Sequence, residues 1–79
     1  MAITAKEVRE LAARGEGCLG KAADDEPVFV LRAQDCHAAD LVEKWAIWVS
    51  VSDVSSDKVG EARLIAEQMR RWPVHKQPD

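Results

Sequence analysis

Residues 37–51, HAADLVEKWAIWVSV, carry a helical pattern that dominates the second half of this chain. Their apolar residues recur at spacings of three and four, which is the repeat of an α-helix. The polar residues Asp40, Glu43 and Lys44 fall mostly on the opposite side. Towards the end of the stretch, residues 45–51 are apolar nearly all round, so we expect a helix that is either central or presents a second face to a partner.

Two further helices are predicted, at residues 5–13 and 57–72. The first begins with the signature of a capping box, because Thr4 can cap it and Glu7 follows three residues later. The second has an apolar stripe, acidic residues near its start and basic residues near its end, which suits the helix dipole, and Pro73 ends it.

The run PVFVLRA, residues 27–33, is apolar but does not follow the helical repeat. Val28, Phe29 and Val30 are β-branched or aromatic, which favours a strand. A competing interpretation puts Pro27 at the first position of a helix. We therefore predict a small α+β domain with three helices and one short strand in the order α-β-α-α, and the alternative is a small all-α bundle.

A single strand leaves its backbone N–H and C=O groups without partners, so a predicted lone strand must pair with something. The simplest candidate is its own copy across a two-fold axis. The sequence therefore predicts a homodimer. Its interface residues would be Val28, Phe29, Val30 and Leu31.

The chain has 79 residues, which is enough for one domain, and we expect residues 1–79 to form it with a flexible tail at 73–79. A domain of this size buries only about 60% of its unfolded surface, so its stability is marginal without a staple or a second subunit. The net charge of −3 and pI near 5.3 argue against a general affinity for nucleic acid. No run approaches the ~20 apolar residues of a membrane span, and the start has no apolar region typical of a secretion signal. We expect a cytoplasmic protein that does not enter the membrane.

Soft-metal ligands and nucleophiles are few, namely Cys18, Cys36, His37 and His75. Their spacing does not suit zinc, because no C-x-x-C pair is present and the adjacent Cys36 and His37 would point in different directions. Sequence neighbours also seldom have the geometry of a nucleophile and its base. We expect no metal, no cofactor and no enzymatic activity, and in a reducing cytosol we expect free thiols.

Acidic and aromatic residues are the best candidates for contact with a basic protein partner. The tryptophans are also expected to form much of the core, but so small a chain cannot easily surround all of them. The predicted partner-binding residues are Asp24, Asp25, Glu26, Asp35, Asp40, Trp45 and Trp48. An alternative is a small dimeric regulator that contacts nucleic acid through the basic end of the last helix. Its candidate residues are Arg63, Arg70, Arg71 and Lys76.

Three segments, DEPVFVLRAQD (25–35), LVEKWA (41–46) and EARLIAEQMRRW (61–72), resemble a group of short, functionally uncharacterised proteins of bacteriophages, prophages and bacteria. The resemblance implies no activity and transfers no functional residue. By analogy with other acidic phage proteins, it favours an accessory or inhibitor protein, such as an anti-CRISPR, that binds host or defence machinery. The sequence therefore predicts a non-catalytic protein-binding module.

Overall fold

Helices make up most of the fold, which is known from a computed structural model that describes residues 3–52 and 56–77. Four helices lie in these residues: α1 (Ala5–Ala13), α2 (Gly17–Lys21), α3 (Ala38–Ser50) and α4 (Ser56–Arg71). They form two hairpins, because α1 packs on α2 and α3 packs on α4. Within the described ranges, neither helix of the first hairpin contacts a helix of the second.

The prediction of an α+β fold is wrong. Residues 27–33 form neither a strand nor the competing helix that would begin at Pro27, and no strand occurs in the described residues. The pairing seen there is an isolated parallel bridge between Asp35 and Lys76. High β-propensity favours an extended backbone, but a strand also needs a neighbouring strand, and helices satisfy their own backbone groups. An all-helical arrangement, which was the predicted alternative, fits the structure.

Because residues 27–33 do not form a strand, the predicted dimer cannot be argued from the pairing of two such strands. Val28, Phe29 and Val30 are exposed and Leu31 is half-buried. Interface contacts of these residues stay a prediction, but pairing of two strands no longer supports them.

The predicted capping box at the start of α1 is confirmed. The Thr4 hydroxyl oxygen accepts a hydrogen bond from the Glu7 N–H at 3.2 Å, and Glu7 Oε1 accepts one from the Thr4 N–H at 3.1 Å. Just past the other end of the helix lies Gly15, whose φ of 71° is in the left-handed region that favours glycine. Both ends of α1 are therefore fixed by local sequence.

Glu7 should make the stability of α1 depend on pH. Hydrogen bonds from the backbone N–H and then the hydroxyl of Thr4 favour the carboxylate and lower the pKa of Glu7. The stabilisation is fully present above the pKa that Glu7 has in the unfolded chain, and it is lost as the pH falls through the lower pKa of the folded chain. We expect Thr4→Ala to move the Glu7 titration midpoint, followed by NMR of its carboxyl carbon, upward and to cost about 1 kcal/mol. The N–H of residue 4 remains in this variant, so an unchanged midpoint would contradict the part assigned to the Thr4 hydroxyl.

Small side chains form the contact between α3 and α4. The buried residues of the two helices are Ala38, Ala39, Ala46, Val59, Ala62 and Ala66, and three of them, Ala46, Val59 and Ala62, form one cluster. We call the five alanines the alanine seam. Val42 and Val49 pack against this core and are partly buried. Because methyl groups fill so little space, the two helices approach each other closely.

The prediction that the tryptophans form much of the core is wrong. Trp45, Trp48 and Trp72 are all exposed. For residues 37–51 the sequence predicts a helix that is either central or has a second apolar face. The structure has the second face: α3 turns its alanines toward α4 and its tryptophans away from it.

The segment after α4 returns to the start of α3. The Cys36 N–H donates to the Lys76 carbonyl at 2.9 Å, and the Lys76 N–H donates to the Gln34 carbonyl at 2.7 Å. His37 Nε2 lies 3.0 Å from Gln77 Oε1. Flexibility of the tail stays a prediction, and residues 78 and 79 lie outside the described ranges.

Membrane insertion through a helix finds no support in the described part of the chain. None of its helices combines the length and the apolar character that crossing a bilayer requires.

Candidate binding surfaces

The segment between the two hairpins is acidic at its start and apolar at its end. We call residues 24–31 the connector. Asp24, Asp25 and Glu26 are exposed, and they are followed by Val28, Phe29 and Val30, which are also exposed. Phe29 is the extreme case, with 84% of its surface accessible. Three negative charges and an aromatic side chain therefore follow one another within six residues, the first two of them in a turn.

Local turns lie at the start of the connector and just after its end. At its start, the Glu26 N–H donates to the Ala23 carbonyl at 3.0 Å, and Glu26 Oε1 accepts from the Ala23 N–H at 3.1 Å. Just beyond its end, the Asp35 N–H donates to the Arg32 carbonyl at 3.0 Å. Residues 28–31 make no backbone hydrogen bond to any described residue. The connector is thus flanked by two local turns, while the backbone donors and acceptors of residues 28–31 are available to a partner.

A second exposed surface lies on α3. Leu41, Trp45 and Trp48 are spaced by four and three residues, which puts them on one stripe of the helix. Their exposed fractions are 48%, 46% and 61%. We call these three residues the tryptophan face. The Lys44 ammonium lies 6.0 Å from the centre of the Trp48 ring, at the limit of a cation–π contact.

The other predicted acidic residues do not join the connector. Asp35 Oδ1 accepts a hydrogen bond from the His37 N–H at 2.8 Å, at the start of α3. Asp40 Oδ1 lies 2.9 Å from Arg70 Nη2, and Glu43 binds the same nitrogen. Hydrogen bonds to Asp40 and Glu43 raise the pKa of Arg70. These carboxylates are used within the fold, so the connector keeps only three of the predicted acidic contact residues.

The same contacts weaken the nucleic-acid alternative. Arg70 is bound by Asp40 and Glu43, and Arg71 pairs with Glu67 one turn earlier on α4. Arg63 is exposed on α4, whereas Lys76 lies in the bridge to Asp35. Carboxylates therefore offset the charge of two of the four predicted cations, and a strong positive field is not built up at this end of α4.

A shallow cleft of about 240 Å³ opens where the start of α3, the end of α4 and the C-terminal segment meet. It is lined by Asp35, Cys36, Ala39, Asp40, Arg70 and His75. The His75 ring is engaged, because its Nε2 lies 3.0 Å from the Met69 carbonyl oxygen. No hydrogen bond of the described residues joins Cys36 to His37 or His75. Among those residues, no three His, Cys, Asp or Glu side chains gather as a metal site would require.

Comparisons of the chain with protein families, with curated proteins and with solved structures found no match. The resemblance to short phage and prophage proteins therefore stays a prediction, and no residue role is transferred from a relative.

Leu41 is the one residue of the tryptophan face that is not among the predicted partner-binding residues. The sequence pattern identifies it only as an apolar position of the helix. The spacing of the alanines could have identified it: Ala39 and Ala46 are seven apart on α3, and Ala62 and Ala66 are four apart on α4. Such stripes of small residues indicate the sides on which two helices pack closely, and Leu41 lies off that stripe.

Proposed function

We propose that the chain is a non-catalytic protein-binding module that uses the connector to contact a basic protein surface with an apolar pocket. The observation that carries the proposal is Phe29, an aromatic residue 84% exposed shortly after three exposed carboxylates. Large aromatic side chains are favoured anchors of interfaces, and carboxylates speed association with a basic surface.

Charge and anchoring favour this role over that of an ordinary loop. Residues 22–31 carry three negative charges and no positive one, so their field has a single sign. The two hydrogen bonds between Glu26 and Ala23 restrict the start of the connector, which lowers the conformational entropy lost when this part is ordered on a partner. A partner with lysine or arginine side chains around an apolar pocket would match both parts of the surface.

The proposal can be extended to where the protein is located and to its biological role. A cytoplasmic location agrees with two exposed free cysteines, Cys18 and Cys36, because such thiols persist in a reducing compartment. An accessory or inhibitor role of the phage type depends on the resemblance of the three sequence segments alone.

The test is affinity capture with the whole chain from a lysate of the organism that encodes it, followed by binding measurements with the purified captured protein. The triple variant Asp24→Asn, Asp25→Asn, Glu26→Gln removes three charges, and the amide oxygen introduced by Glu26→Gln can still accept from the Ala23 N–H. The matched control Glu10→Gln, Glu16→Gln, Asp57→Asn removes three exposed charges elsewhere. We expect the first variant to bind more weakly and with a smaller salt dependence, and the control to bind as the unmodified chain does.

Phe29→Ala tests the apolar half of the connector. We expect the affinity for the captured protein to fall about 10- to 100-fold, as for a typical aromatic anchor. Val51→Ala is the control, because Val51 is equally exposed but lies at the end of α3. Equal affinities of the two variants, or of the two charge variants, would refute the role of the connector.

A further inference from the structure

The tryptophan face stays exposed after α3 and α4 have packed together. One side of α3 is buried through Ala38, Ala39 and Ala46, and the stripe of Leu41, Trp45 and Trp48 lies beside it. A helix with two apolar sides needs two partners, and α4 supplies only one of them. The α1–α2 hairpin does not cover the second side, because it makes no contact with α3.

The size of the whole surface indicates a missing interface. The chain exposes 6293 Å², whereas a compact protein of 8.8 kDa exposes about 4,800 Å². Its radius of gyration is 13.2 Å, compared with about 11.6 Å for a compact domain of 79 residues. The exposed connector and the separation of the two hairpins contribute to this excess of about 1,500 Å², and an interface that removes ~800 Å² from each partner would account for part of it.

We propose that the tryptophan face is the two-fold interface of a homodimer, with a second copy of this chain as its occupant. The three residues of the face carry no ionisable group, so two copies can bury them against each other without burying a charge. In a two-fold interface the same patch serves both subunits, and aromatic rings pack well against each other edge to face. Lys44 can keep its ammonium hydrated at the rim while its stem lies near Trp48.

The composition of the core favours a second copy over a foreign protein. Each hairpin of α3 and α4 buries alanines and one valine, so a single chain gains little from apolar burial. A dimer adds the tryptophans to a shared core, as small domains commonly do. The interface differs from that predicted through residues 28–31, and it uses none of the connector residues of the proposed function.

The experiment is sedimentation equilibrium of the purified chain between about 1 and 100 µM, combined with urea unfolding at the same concentrations. We expect a mass of twice 8.8 kDa at the upper end and an unfolding midpoint that rises with protein concentration. Trp48→Glu and Leu41→Glu should each weaken the dimer at least about 100-fold, because a charge would be buried without a partner.

Ile47→Glu is the matched control, because Ile47 is 53% exposed on the same helix but off the tryptophan face. It should leave the dimer intact, as should the triple variant of the connector. Circular dichroism of each variant tests whether the monomer keeps its helices. A single-chain mass of the unmodified protein at every concentration would overturn the proposal, whatever the variants do. A dimer that survives Trp48→Glu and Leu41→Glu, or one that Ile47→Glu disrupts, would also overturn it.

Discussion

Ala46→Asp should unfold the α3–α4 hairpin at neutral pH. Ala46 is fully buried in the alanine seam beside Val59 and Ala62, so the new carboxylate would lose its water without gaining a partner. An unpaired buried charge costs several kcal/mol, and the whole chain has only about 4–12 kcal/mol to lose. We expect the far-ultraviolet circular dichroism of the variant to lose most of its helical signal.

The control for Ala46→Asp is its neighbour on α3. Ile47→Asp introduces the same side chain at an exposed position, so it reports the helix propensity of aspartate without its burial, about 0.7 kcal/mol or less. The two variants should differ clearly in the urea concentration at which they unfold. Equal midpoints would show that Ala46 is not enclosed as the structure has it.

Gly20→Ala should separate α1 from α2. A Cβ atom at Gly20 would lie 2.8 Å from the carbonyl carbon of Gly15 and 3.2 Å from the Cα atom of Ala12. These are backbone atoms, which cannot move aside as the end of a side chain could. The steric cost, about 1–3 kcal/mol, outweighs the ~1 kcal/mol that alanine gains over glycine in a helix.

Hydrogen exchange measured segment by segment is suited to this variant. Because no described helix of one hairpin contacts a helix of the other, Gly20→Ala should remove protection from α1 and α2 and leave α3 and α4 unchanged. Gly60→Ala is the matched control: Gly60 lies in α4 with nothing within 4 Å of its added Cβ, so this variant should be more stable by about 0.5–1 kcal/mol. Unchanged protection of α1 in Gly20→Ala would refute the close contact.

Local signals in the sequence predicted three of the four described helices well, and α2, a helix of five residues, was not among them. The predicted ranges 5–13, 37–51 and 57–72 correspond to α1, α3 and α4 within one residue at each end. Caps, helical periodicity and Pro73 act over a few residues, and neighbouring residues are sufficient to specify them. The capping box of Thr4 and Glu7 is the clearest example, since both its hydrogen bonds join residues three apart.

Features that depend on distant residues could not be predicted in this way. Val28, Phe29 and Val30 have high strand propensity, but propensity does not supply the second strand that pairing requires. The bridge between Asp35 and Lys76 joins segments about forty residues apart, and no local sequence pattern predicts it. The side of α3 that meets α4 was ambiguous, because apolar residues surround the end of this helix, and large aromatic residues seemed better core candidates than alanines.

The surface residues were predicted in part. Asp24, Asp25 and Glu26 are exposed beside Phe29 as a partner surface would need, whereas Asp35 and Asp40 serve contacts within the fold. Whether a carboxylate is free or engaged depends on which cation the fold brings to it. Arg70 reaches Asp40 only because α4 returns along α3, and that arrangement is a property of the tertiary structure.

The alanine seam gives the contact between α3 and α4 low ridges. Methyl groups resist axial displacement of two helices less than leucine side chains do, and Val42, Val49 and Val59 are the larger side chains of this contact. Arg70 opposes axial displacement of α4 along α3, because its guanidinium binds Asp40 and Glu43, which are three residues apart on α3. Exposed ion pairs are individually weak, so those of Arg70 add to the axial alignment given by the valines of the contact.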